Sequence, residues 1–182
     1  MTGKRTSAKY VLLLRGINVN PSTRVGMADL RELLADAGYP GARTLLQSGN
    51  VILDSSSTPD VPAIETAIAD LTGVKSRIVA LRVDEVARIA AANPLLGVSD
   101  DLSKMIITFV DGTIAPGEIE RPSDGELAPE RLVIAERAVY QWCPAGVLGS
   151  QLKPAWWKQF GPAVTARNVR TVNRILAAAA AS

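Results

Sequence analysis

The sequence predicts an α+β protein. It divides into a ferredoxin-like (βαββαβ) N-terminal half over residues 9–82 and a smaller α+β half over residues 83–182. Three observations carry this expectation. Short apolar runs alternate with segments whose apolar positions recur three and four apart, which are the signatures of strand and helix. Their order up to Leu81 is strand-helix-strand-strand-helix-strand, the ferredoxin-like succession. The chain of 182 residues, 47% apolar and 21% charged, is long enough for one sizeable core or two small ones.

Taken in order, residues 1–8 are small and polar and read as a frayed tail. Lys9–Gly16 reads as the first strand, and the run Val11-Leu12-Leu13-Leu14 calls for burial on both faces. Residues 18–26 carry Asn, Pro, Ser, Thr and Gly and read as a loop. Met27, Leu30, Leu33, Leu34 and Ala37 then recur at helical spacing, and Gly38 with Pro40 ends the helix. Residues 42–47 form the second expected strand. Ser48-Gly49-Asn50 suits a tight turn or bulge, and the third strand spans residues 51–54. Asp60 caps a helix with Pro62 in its first turn and Gly73 at its end. Residues 74–81 complete the first half.

The second half gives weaker signals. A helix over residues 84–92 ends at Asn93-Pro94. Residues 105–110 read as a strand. Residues 111–130 read as a long loop with a helical turn near Gly117–Arg121. Residues 131–135 and 138–142 read as a hairpin across Glu136-Arg137. A helix is expected within residues 150–160, carrying Trp156 and Trp157. A last helix starts near Thr165–Asn168, with Val169, Val172, Ile175, Leu176 and Ala179 on one face. No sequence repeat links the halves.

Composition narrows the chemistry. There are no histidines, so a Ser-His-Asp or Cys-His nucleophile system has no imidazole base. Metal sites lose their commonest ligand, and the single cysteine, Cys143, cannot replace it or form an internal disulfide. No metal is therefore expected, and no cofactor is expected either. A cytoplasmic protein fits this cysteine usage. The basic residues near the N-terminus precede an apolar run too short for a signal peptide, and no segment approaches a membrane span. A net charge of +2 argues against a large nucleic-acid footprint.

Candidate site residues sit at the ends of the expected elements. Arg15 ends the first strand, where it either pairs with a carboxylate or faces a ligand. Gly16, Asn18, Gly49 and Asn50 can expose backbone N–H groups to an anion, or serve turn chemistry alone. Ser48 has neither a G-x-S-x-G context nor a histidine base, so it reads as a hydrogen-bonding or turn residue. Arg167, Asn168 and Arg170 lie where the last helix is expected to begin. Cations there oppose the helix dipole, so they bind an anion or pair with acids. Trp156 and Trp157, flanked by Lys153 and Lys158, offer either a base-stacking surface or a core contact. Asp100-Asp101 and Asp124-Gly125-Glu126 lack the spacing of a calcium loop.

Several of these residues form a recognisable set. Arg15-Gly16-Ile17-Asn18-Val19 is followed by Met27, Leu30, Arg31, Leu34 and Thr44, then by Gln47-Ser48-Gly49-Asn50-Val51. Thr165, Arg167-Asn168 and Thr171-Val172 come last. In order and spacing the chain resembles the bacterial domain-of-unknown-function family 1697 (DUF1697) from about residue 9 to 178. The resemblance implies an α+β fold with a ferredoxin-like N-terminal portion. It implies no established activity, substrate or cofactor. This chain has Asn20-Pro21 where the family usually has glycines, and Val169-Arg170 where it usually has Trp and Asn.

Three readings of function follow. The first is a binding module for an anionic small molecule or a nucleic-acid backbone, using Arg15, Asn18, Ser48, Asn50, Arg167, Asn168 and Arg170. The second is a small histidine-free enzyme using carboxylate or Lys acid-base chemistry. The third is a structural or interaction protein. No membrane partner is expected, and the oligomeric state is left open.

Overall fold

The computed structural model describes residues 7–181 and confirms the α+β class, with two antiparallel four-stranded sheets. The chain forms two compact units, one of Met1–Glu85 with Ala178–Ser182, the other of Val86–Ala177. The tail expected over residues 1–8 lies mostly outside the described residues, and Ala8 already belongs to the first strand.

The first unit contains β1 (Ala8–Arg15), α1 (Met27–Asp36), β2 (Arg43–Leu45), β3 (Asn50–Ser55), α2 (Val61–Thr72) and β4 (Arg77–Arg82). The sheet order is β2-β3-β1-β4, and every neighbouring pair is antiparallel. β1 is central, paired on both edges, and its side chains alternate between two faces. Tyr10, Leu12 and Leu14 join Val51, Leu53 and Ile78 in a core with Leu30 and Leu34 of α1 and Ile64 and Ile68 of α2. The other face carries Val11, Leu13, Ile52, Val79 and Leu81, also buried. Burial on both faces explains the unbroken apolar run of β1. Asp60 caps α2 by accepting from Ala63 N at 3.1 Å, and Gly73 ends it at φ +72°.

The second strand is shorter than expected. β2 stops at Leu45 because Leu46 turns left-handed at φ +62°, a conformation that nothing in its side chain announces.

α3 (Val83–Ala91) follows β4. The second unit then holds β5 (Met105–Val110), α4 (Asp124–Leu127), β6 (Arg131–Ile134), β7 (Ala138–Trp142), β8 (Val164–Asn168) and α5 (Val169–Ala180). Its sheet order is β6-β7-β5-β8, all antiparallel. The first strand of this sheet is again central, between the third and the fourth. Both units therefore repeat one strand order, although their sequences show no repeat. Val110, Leu132, Val139 and Val164 pack with Ile114, Leu127 and Leu152 on one face.

Three expectations for this half change. The segment 111–130 holds a 3₁₀ turn at Pro116–Glu118 and the short helix α4, fixed by a reciprocal Ser123–Glu126 cap. Pro154–Phe160 is a 3₁₀ helix; within it Trp156 meets Trp157 and Phe160 edge-on, and all three pack on the core as partly buried groups. Residues 165–168 do not begin the last helix. They form β8, paired with β5, and α5 starts at Val169.

Candidate functional site

In the first unit, the two early motifs meet. β1 ends at Arg15, and Gly16 at φ +77° swings the chain out of the sheet. Ile17 turns back into the core, and Asn18 takes φ +54°, a left-handed conformation that Asn tolerates. The turn between β2 and β3 lies against this corner because β3 starts where β1 ends, with Leu13 opposite Asn50. Leu14 N donates to Gly49 O at 2.8 Å. Gly49 has φ +77°, and a Cβ on it would sit 2.6 Å from Ile17 Cδ1 and 2.8 Å from Leu14 Cβ. Only glycine fits there, on both conformational and steric grounds.

Asn18 ties three stretches of backbone together. Its Nδ2 donates to Gln47 O at 2.8 Å and to Val25 O at 3.0 Å, while its Oδ1 accepts from Val25 N at 2.9 Å. Asn50 is fully buried, and its Nδ2 donates to Leu45 O and to Ser48 Oγ. Val19–Thr23 is pinned by its own polar groups. Thr23 Oγ1 accepts from Val19 N and Asn20 N, and Asn20 Oδ1 accepts from Ser22 N and Ser22 Oγ. The side-chain amides of Asn18 and Asn50 thus hold the corner together.

Arg15 differs. Its carbonyl accepts from Ser76 Oγ at 2.9 Å, which fixes the backbone. Its side chain is exposed and has no hydrogen-bond or ion-pair partner among the described residues. Directly opposite, in register, stands Arg77 of β4. Arg77 is neutralised by Glu65 of α2 at 2.8 Å, and the other oxygen of Glu65 accepts from Ile78 N. Like charges directly opposite on a sheet oppose each other by roughly 0.2–1 kcal/mol. Here one arginine is compensated and the other is not. Lys75, exposed, precedes them on the same strand approach. Neither Arg77 nor Glu65 stands out in the sequence, because their place beside Arg15 depends on strand register.

The late residues belong to the second unit and have separate roles. Asn168 caps α5 by accepting from Thr171 N at 2.8 Å. Arg170, in the first turn, pairs with Asp101 at 3.4 Å, so the acid-pairing alternative describes it. Asp101 itself is held below the usual carboxylate range by hydrogen bonds from Ser103 and then by Arg170. Arg167 projects from β8 rather than from a helix start. It is buried, donates to Thr165 Oγ1 and Ala166 O at 2.8 Å, and burial pushes its guanidinium down to about 10, still cationic at neutral pH.

The sequence did not single out the pocket around Glu130. This buried carboxylate accepts from Gln141 Nε2 at 2.7 Å and Ser150 Oγ at 2.8 Å, and lies 3.8 Å from Cys143 Sγ. Burial, then Glu130, pushes the Cys143 thiol up to about 12, so it stays protonated and unreactive. Among the described residues no group of three His, Cys, Asp or Glu can hold a metal ion.

Comparison with known proteins fits this architecture. The solved structure of the conserved bacterial protein SP0830 from Streptococcus pneumoniae superposes with a TM-score of 0.74 at 21% identity, over 96% of this chain and 99% of that one. At that identity the likeness is one of fold. The model of a family described as protein of unknown function, DUF1697, matches residues 8–140. The chain belongs to the DUF1697 family. The matched stretch contains both early motifs and ends before Thr165–Asn168. No curated protein matches the sequence.

Proposed function

We propose that the protein is a binding module for an anionic small molecule or a short nucleic-acid backbone, held at the exposed end of β1 in the first unit. The observation that supports this reading is Arg15. Its backbone is anchored and its guanidinium has no ion-pair partner among the described residues, where its cross-strand neighbour in register is a second arginine already paired with Glu65. A phosphate or carboxylate beside Arg15 accepts a bidentate grip and relieves the like-charge pair at the same time. The near-neutral net charge favours a compact anion with one or two phosphates over a long nucleic-acid track.

On the same footing, we assign the first unit to the ferredoxin-like class, supported by its element order and by the order β2-β3-β1-β4. We also place the protein in the cytoplasm, supported by its single buried thiol. No helix among the described residues is long and apolar enough to cross a membrane.

The test is a thermal-shift screen of nucleotides, phosphosugars and short RNAs on the wild type, Arg15→Ala and Arg15→Lys. A ligand at a hundredfold excess over its Kd raises Tm by roughly 5–10 °C. Arg15→Ala should abolish that rise while leaving the ligand-free Tm within about 1 °C, since an exposed, unpaired side chain contributes little to stability. Arg15→Lys should retain part of it. A flat response to every compound, or a rise that survives Arg15→Ala, would overturn the proposal.

A further inference from the structure

The outer helical layer of the first unit carries a second, chemically opposite surface. α1 and α2 lie side by side and leave between them an open groove of about 720 Å³. Its floor is apolar and small-featured: Leu33 of α1, and Ala63, Ala67 and Leu71 of α2. Leu71 is 58% exposed and lies in this groove rather than alone on the surface. Ala63, Ala67 and Leu71 recur every four residues, so they form a continuous ridge along α2.

Along the α1 side stand Asp29, Glu32 and Asp36, none of which has an ion-pair partner among the described residues. α1 and α2 together carry five carboxylates against one arginine. That arginine, Arg31, reaches to Thr44 Oγ1, and of the five only Glu65 has an ion-pair partner among the described residues, Arg77. The groove therefore combines an apolar floor with an uncompensated acidic rim.

We propose that this groove docks a basic amphipathic helix of a partner protein. The charge selects the class of partner, since three free carboxylates repel RNA, anionic ligands and acidic lipid surfaces. The shape selects a helix. The groove runs about two helical turns, from Asp29 to Ala37, roughly 12 Å at the rise of an α-helix. Its four-residue ridges are those into which a third helix packs, and the alanines let its backbone approach closely. Apolar residues of the incoming helix at i, i+4 and i+7 would cover Leu71, Ala67 and Leu33, while its Lys or Arg residues meet Asp29, Glu32 and Asp36. This surface is independent of Arg15 and of the anion proposed there.

The probe is a designed 14-residue helical peptide of Leu and Lys with one apolar stripe, alongside the same peptide with Glu for every Lys. Titrations followed by backbone amide NMR should give a Kd of about 10–100 μM for the Lys peptide, with shifts confined to α1 and α2. The Glu peptide should bind at least about tenfold more weakly, and Glu32→Lys/Asp36→Lys should invert that preference. Leu71→Asp should abolish binding, with circular dichroism confirming that each variant folds. The proposal is overturned if the Glu peptide binds equally, if neither peptide binds, or if the shifts map elsewhere. A concentration-dependent dimer dissolved by Leu71→Asp would assign the groove to a second copy of this chain and overturn it too.

Discussion

Gly49 is the residue on which the corner of the first unit depends most sharply. It combines a left-handed backbone with Leu14 and Ile17 inside the space of a Cβ. Gly49→Ala therefore incurs both a conformational penalty and overpacking, about 2–4 kcal/mol together. Urea unfolding should show this loss with an unchanged m-value, and a variant as stable as wild type would refute the packing described for the two motifs. The residues around it divide by what their side chains do. Asn18 and Asn50 use their amides within the corner, on backbone groups and on Ser48 Oγ, whereas the Arg15 side chain has no hydrogen-bond or ion-pair partner among the described residues. The sequence suggested the turn role of Gly49, since few residues adopt positive φ easily, but it placed Asn50 in the same turn, whereas Asn50 is the first residue of β3 and has no left-handed backbone. It could not separate Arg15 from its neighbours, because its lack of an ion-pair partner among the described residues is a fact of register. Arg77 and Glu65 were illegible for the same reason.

The elements tell where local pattern was enough. α1, α2, β1 and β5 fall almost where their periodicities place them, and the caps at Asp60 and Gly73 act as their types dictate. The failures share a cause. β8 is spelled Val164-Thr165-Ala166-Arg167-Asn168, a run with cap-forming residues and little apolar alternation, and it becomes a strand only by pairing with β5, more than fifty residues earlier. β2 was read too long because the left-handed Leu46 carries no sign in its side chain. One local expectation survives the revision, since Asn168 still caps α5, now from the last position of a strand. Asn168→Ala should lower stability by about 1 kcal/mol, and Asn168→Asp should preserve it, because Asp retains the acceptor for Thr171 N. Equal losses for both substitutions in thermal unfolding would count against the cap.

At the scale of the molecule, the repeated strand order was invisible in the sequence, because the same topology is filled by unrelated core residues in the two units. Equally unforeseen is the membership of Ala178 and the residues after it in the first unit. Lys9 Nζ donates to Ala179 O at 2.7 Å and Arg43 Nη2 to Ala178 O at 3.1 Å, so two cations satisfy the last carbonyls of α5 and face the negative end of its dipole. Deleting residues 178–182 should destabilise the protein by about 1–2 kcal/mol, the scale of two charged hydrogen bonds that are partly exposed. Lys9→Met/Arg43→Met should reproduce most of that loss in the full-length chain, and independence of the two effects would refute the link.

This fastening sets an order of events on the ribosome. β1 is joined by its last sheet neighbour only when β4 has been made, and by the tip of α5 only after residues 86–177 have been made. Residues 86–177 are thus an insertion between two parts of the first unit, able to complete their own sheet before the earlier unit is closed. A chain that stopped at Ala177 would carry every described strand of both sheets and still lack the two hydrogen bonds by which Lys9 and Arg43 hold Ala179 and Ala178.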